Sequence, residues 1–286
     1  MFAKTKNYYR VLINVCAFIL MGCGTNNDEP KSGAKMNAES IPLIQRESGY
    51  FGGELQWREL LSCWHASHLL RYKKVLIEYP TMPYLPIVTK DAAALQKSVA
   101  DKRIHSEIAD TEKRLGLILP KSYKDFILAY QPTELKQSQV GQAGSYVGMY
   151  ALTQIGKFGQ LMPELTQDLE KFPIDADDIY YRHYGVGQDD AHIRTKYIRD
   201  LIVVGKYGTS NFELIFLYPQ IKTKDGEMQA GLRFHSGEYR APSFAELMRQ
   251  LSVLETVDVG HVPPYPQKML KGLCAEKLPL MNVWWE

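Results

Sequence analysis

The apolar residues of this chain change their spacing near residue 145, and that change limits the folds open to it. Up to about residue 130 they recur every three or four positions. Trp57, Leu60, Leu61, Trp64 and His68 do so within 54–72, Ile104, Ile108, Thr111 and Leu115 within 91–116, and Tyr123, Phe126, Ile127 and Tyr130 after Pro120. This is helical spacing. Pro80, Pro83 and Pro86 place a loop between the first two helices, Pro120 suits a first helical position, and Pro132 stops the third helix. Beyond residue 145 short apolar runs take over. Residues 145–152 and the stretch to Phe158, then 179–184, 201–204, 212–218 and 232–235, predict strands, with 161–172 a short helix among them. Asp225-Gly226 is a hairpin turn signal. Ser243 and Glu246 match a capping box, and Phe244, Leu247, Met248 and Leu251 line the helix that follows. Helices, then strands, then a closing helix predict an α+β fold, a mixed or antiparallel sheet packed with helices. From Val257 onward the chain reads as an irregular tail whose Trp284-Trp285 packs back on the core.

The first residues predict export. Lys4, Lys6 and Arg10 stand without an acid in 1–10, and 11–21 is apolar apart from Asn14. That run is long enough for a signal sequence and well short of the ~20 residues that span a bilayer. It ends in Leu20-Met21-Gly22-Cys23, which resembles the lipobox of bacterial lipoprotein signals. The resemblance implies cleavage before Cys23, a diacylglyceryl group on its thiol, and a further acyl chain such as palmitate on the new amino terminus. Several chains at ~0.8 kcal/mol per buried CH₂ make a permanent anchor. The expected location is the bacterial cell envelope outside the cytoplasm, with Gly24 favouring the outer over the inner membrane. Residues 1–22 are then a signal peptide and 23–48, rich in Asn, Gly, Ser, Lys and Glu, a flexible tether. Residues 49–286 form a single globular domain.

Charge argues against a polyanion as partner. The chain has 34 basic and 32 acidic side chains; the signal peptide holds three of the basic and none of the acidic, which leaves 31 against 32. No nucleic-acid partner is expected. Besides Cys23, the mature chain keeps Cys63 and Cys274. They either pair as one disulfide in an oxidising envelope or stay as two buried thiols.

A set of motifs in order narrows the fold further. Glu112-x-x-Leu115-Gly116 is followed by Leu119-Pro120 and a helix opening with Tyr123 and Phe126. Ile202-Val203-Val204-Gly205, the 212–218 strand and Ser243-Phe244-Ala245-Glu246-Leu247 come after it. Together these resemble the SUKH superfamily, which unites a yeast cell-wall regulator domain with bacterial immunity proteins against polymorphic toxins. The likeness covers about 109–251, roughly half of the mature chain. It departs from the pattern at Gln131-Pro132, where the family often has Asn-Gly. The resemblance implies a non-enzymatic protein that binds and blocks a toxin domain, or a structural scaffold at the envelope.

Catalytic and metal motifs are weak by comparison. His65 and His68 share a helix face without a third ligand nearby in sequence, and Asp175, Asp177 and Asp178 start like a calcium loop but lack its turn glycine. Asp189, Asp190 and His192 with Arg194 could do acid–base work or form a solvated loop with a salt bridge. No metal, cofactor or small-molecule substrate is expected. The remaining surface signal is Tyr180-Tyr181-Arg182-His183-Tyr184 followed by the acids, since tyrosine and arginine are enriched at interfaces. Tyr181, Arg182, His183, Asp189 and Asp190 are the candidate partner interface, with Tyr180 and Tyr184 turned inward on strand alternation.

Overall fold

The fold is described from a computed structural model over residues 48–78, 102–130, 147–171, 184–185, 187–191, 194–207, 213–234, 237–257 and 263–279. The expected signal peptide, Cys23, the tether up to residue 47, the 80–86 loop and Trp284-Trp285 lie outside these residues, while Ser48, the last residue of the expected tether, is buried in the fold. Among them, no helix is long and apolar enough to cross a membrane.

Three helices precede the sheet. Helix α1 runs Glu54–Glu78, six residues beyond the expected end, α2 spans Lys102–Leu115 and α3 spans Lys121–Ala129. The expected face of α2 is buried at Ile104, Ile108, Thr111 and Leu115. Gly116 ends the helix at a φ of +69°, a left-handed conformation that only glycine takes at little cost. Glu112 then holds the link to α3: its carboxylate accepts the Leu119 N–H at 2.9 Å and pairs with Lys124 at 3.3 Å. The Glu-x-x-Leu-Gly…Leu-Pro spacing is thus a stop, a clamp and a restart. Pro120 caps α3 and Lys121 opens it, one residue later than expected.

The sheet is antiparallel throughout. Strands β1 (Val147–Met149) and β2 (Gly156–Lys157) both pair with β3 (Ile202–Tyr207), β1 at Gly205–Tyr207 and β2 at Ile202–Val203. Next come β4 (Leu214–Lys222), β5 (Met228–Phe234) and β6 (Gly237–Ala241), in the order β1-β3-β4-β5-β6. The β4–β5 register shifts between Tyr218 and Lys222, where Pro219 has no N–H to donate. Between β2 and β3 lie α4 (Phe158–Leu161), α5 (Pro163–Lys171) and a 3₁₀ turn at Thr195–Asp200. The strand expected at 179–184 falls outside the described residues except for Tyr184, which is in no strand. After β6, α6 (Phe244–Thr256) closes the core, and the tail adds α7 (Gln267–Leu270) and a 3₁₀ turn at Cys274–Lys277.

One sheet face carries the main core. Ile202, Val204, Ile215, Leu217, Ala230, Leu232, Tyr239 and Ala241 meet the apolar stripes of the helices. At the centre Trp57, Phe126 and Phe244 pack with ring centroids 5.3–5.6 Å apart, so α1, α3 and α6 share one aromatic cluster. The two cysteines meet behind it: Cys63 on α1 is disulfide-bonded to Cys274, with Cα atoms 5.4 Å apart. The tail is docked by Tyr265, Leu270 and Ala275, all buried.

The capping box forms by half. Ser243 Oγ accepts the Glu246 N–H at 3.2 Å, but Glu246 sends its own carboxylate to Arg249, Gln250 and Gln267. Its partners tie α6 to the tail, because Arg249 also donates to the Ala275 carbonyl at 3.0 Å. Ser243→Ala is expected to lower unfolding free energy by about 1 kcal/mol, the value of one cap. Denaturant titration checks it, and a loss below the error of the fit would show that the cap is dispensable here.

Candidate protein-binding face

The second sheet face divides in two. On the β3–β4 side Val203, Leu214, Phe216 and Tyr218 meet Phe158, Ile198 and Leu201 in a small apolar cluster. On the β5–β6 side the residues that point the same way are Gln229 and Arg233 of β5 and Glu238 and Arg240 of β6, and all four are buried. Arg240 and Glu238 are fully covered. Burial of charge in this amount calls for partners inside.

Glu238 is the hub. Its carboxylate reaches across β5 at Gly231 and accepts the Tyr218 hydroxyl of β4, at 2.7 and 2.9 Å to its two oxygens. Burial pushes its pKa up, while Arg240, the Tyr218 hydrogen bond, Arg233 and Arg194 pull it back. Burial conversely lowers that of Arg233, with Glu238 opposing. One carboxylate therefore sits in the field of three arginines.

The 184–191 segment is bonded onto this layer. Tyr184 donates its hydroxyl to Gln229 Oε1 at 2.7 Å, and Arg240 donates to the Asp189 carbonyl at 2.8 Å. Along the edge of β6, the Glu238 N–H donates to the Asp190 carbonyl at 2.6 Å. Gln188 completes the edge by accepting the Arg240 N–H at 2.7 Å and donating to its carbonyl at 3.0 Å. The approach is so close at Gly237 that a Cβ there would lie 1.9 Å from the Asp190 carbonyl oxygen. The Glu238 N–H and both backbone groups of Arg240 on the outer edge are thereby occupied, which blocks strand addition at those positions. A partner meeting this end of the sheet has to read side chains.

Of the five candidate interface residues, Asp189 and Asp190 lie on this segment. Asp190 is exposed and Asp189 half-buried, with Asp189 Oδ1 accepting the Ala191 N–H at 3.0 Å. Tyr184 is buried, although it lies in no strand. Tyr181, Arg182 and His183 fall outside the described residues, as do Tyr180 and His192. Arg194 is not a surface residue: it is buried, in the field of Glu238 and 5.4 Å from the Tyr197 ring centre. On α1, burial lowers the His65 pKa, and among the described residues no group of three His, Cys, Asp or Glu is placed to hold a metal ion.

Strand β6 and the Tyr218–Glu238–arginine layer were not foreseen from the sequence. The signal was present as period-two alternation of Gln229, Gly231 and Arg233 with Met228, Ala230 and Leu232, continued by Glu238 and Arg240 against Tyr239 and Ala241. Its buried face carries charge, which the usual reading of such a pattern assigns to solvent.

Residues 105–250 match the SMI1 / KNR4 family (SUKH-1). The chain belongs to this family. The match starts in α2 and ends in α6, so it takes in the helix–link–helix, the whole sheet and the Ser243 cap. Helix α1, Cys63 and the Cys274 tail are additions to the SUKH-1 core. No curated protein and no solved structure matches the chain.

Proposed function

We propose that this SUKH-1 protein is a non-enzymatic binding protein held at the bacterial cell envelope by a lipid on Cys23, and that it binds and blocks a toxin domain delivered by neighbouring cells. The observation that carries the reading is the SUKH-1 match over 105–250, since the superfamily includes bacterial immunity proteins. The segment bearing Asp189 and Asp190 is fastened to a buried charged layer at four points, which suits a surface that must keep its shape before a partner arrives. The Cys63–Cys274 disulfide supports export, because such bonds persist in oxidising compartments. An anchor outside the cytoplasm restricts the target to a toxin acting in the envelope or caught in transit, and inhibition is occlusion without turnover.

The test is affinity capture, with the mature chain from about residue 33 as bait for the products of adjacent genes. One-to-one binding to a toxin domain at nanomolar Kd with loss of its activity is the expected result. Recovery of envelope-synthesis proteins instead would favour the second reading, a scaffold at the envelope. For the anchor, Cys23→Ala is expected to abolish incorporation of labelled fatty acid; unchanged labelling would sink the lipoprotein assignment.

A further inference from the structure

The turn between β4 and β5 grips the start of the described fold. Asp225 accepts the Ser48 N–H at 2.9 Å and also its hydroxyl, and the Tyr50 N–H donates back to Ser48 Oγ at 3.1 Å. Tyr50 hydroxyl donates to Asp125 of α3 at 2.8 Å while accepting the Trp57 indole N–H at 2.8 Å. Lys121 bonds both the Gly52 carbonyl at 2.8 Å and Asp125 at 2.6 Å. Residues 48–53 precede the SUKH-1 match, so these bonds sew an added N-terminal segment onto the family core. Glu227 lies under the stitching, 1% exposed, its carboxylate accepting the Ser122 N–H at 2.8 Å and the Ser122 hydroxyl.

We propose that residues 48–53 are a pH-sensitive strap, and that ionisation of Glu227 loosens the grip of the β4–β5 turn and α3 on it. The groups facing Glu227 are Ser122 and Asp125 from α3, Asp225 from its own turn and Tyr50 from the strap. Of the two cations on α3, Lys121 is engaged with Asp125 and Gly52 and Lys124 with Glu112. Asp225 is held below its ordinary value by Ser48 and Thr223 against the opposing effect of burial, so it carries charge near neutrality. A charged Glu227 is then a third carboxylate beside the two that hold Ser48 and Tyr50, and repulsion acts on those two bonds. Burial first, opposed by Ser122 and assisted by Asp225 and Asp125, raises the Glu227 pKa to about 7. An acid raised in the folded state contributes stability that is full below its unfolded value and lost as pH rises through the folded one. The strap is therefore tight in acid and slack above neutrality.

Hydrogen exchange of residues 48–57 in the mature chain, corrected for intrinsic exchange rates, tests this at pH 6 and pH 8. Linkage at a folded pKa of about 7 sets roughly tenfold as the upper limit for the loss of protection between the two in the wild type, reached where opening of the strap fully re-exposes Glu227. Glu227→Gln should flatten that difference, while Ser48→Ala should lower protection at both pH values and keep the difference. Equal wild-type protection at pH 6 and 8 would overturn the proposal, and so would a Glu227→Gln chain that keeps the full pH difference. If Glu227→Gln fails to fold, the wild-type and Ser48→Ala pair decides: both must lose protection between pH 6 and 8.

Discussion

Replacing Cys63 and Cys274 together by serine is expected to lower the free energy of unfolding by about 5 kcal/mol. The bond joins residues 211 apart, and the chain entropy recovered by an unfolded loop of that length corresponds to about 5 kcal/mol at room temperature. The location adds to the effect. Cys63 stands on α1 one turn after Leu60 and next to Trp64, both buried, and Cys274 opens the turn that packs against α1 and α6. Loss of the bond therefore removes the disulfide link between the two ends of the fold that lie outside the SUKH-1 core. At 2–4 °C per kcal/mol for a domain of this size, Tm should fall by roughly 10–20 °C. Calorimetry of wild type, double serine variant and dithiothreitol-treated wild type checks it. The treated wild type should fall to the level of the variant, and the variant should ignore the reductant. A shift below about 2 °C would mean that packing alone holds α1 and the tail.

The second large effect is expected at Glu238→Ala. Truncating one side of a buried ionic arrangement leaves the remaining charges uncompensated, at a cost of about 3–5 kcal/mol. Here Arg240, Arg233 and Arg194 would lose the carboxylate whose field they share, and the Tyr218 hydroxyl would lose its acceptor. Tyr218→Phe removes only the hydrogen bond to that carboxylate and should cost less, about 1.5–3 kcal/mol. The order of the two variants in a denaturant series is the diagnostic. Equal losses would assign the effect to the hydroxyl, and a Glu238→Ala loss below about 1 kcal/mol would mean that the arginines are balanced without it. The 184–191 segment should loosen in Glu238→Ala, read as faster amide exchange at Ala191, because Arg240 also holds the Asp189 carbonyl. If the segment is part of the partner surface, the same variant weakens binding while Ser243→Ala, on the other side of the sheet, leaves it unchanged.

Both effects rest on groups that the linear order of residues treats unequally. The two cysteines were visible, and pairing followed from neither spacing nor motif; it needed α1 to lie along the C-terminal tail. The tyrosine and the glutamate were not visible at all as a pair, because Tyr218 and Glu238 are twenty residues apart on strands separated by β5. The interface residues stand between these cases. Asp189 and Asp190 were legible as part of a polar cluster with His192 and Arg194, but their fastening to β6 through Gln188 and the Asp190 carbonyl required the sheet edge to exist.

By itself the sequence determined what depends on neighbours along the chain. The helical stripe of α2, the glycine stop at Gly116, the cap at Ser243, the turn at Asp225-Gly226 and the family membership all rest on residues a few positions apart, where backbone geometry converts spacing directly into contact. Only the tertiary structure decided what depends on distance closed by folding. That includes the disulfide, the burial of Arg194, the inward turn of Arg233, Glu238 and Arg240 that alternation would have sent to solvent, and the strap from Ser48 to Asp225. The physical reason is the same in each case. Charge and sulfur have their chemistry set by burial and by partners, and both are properties of the packed chain.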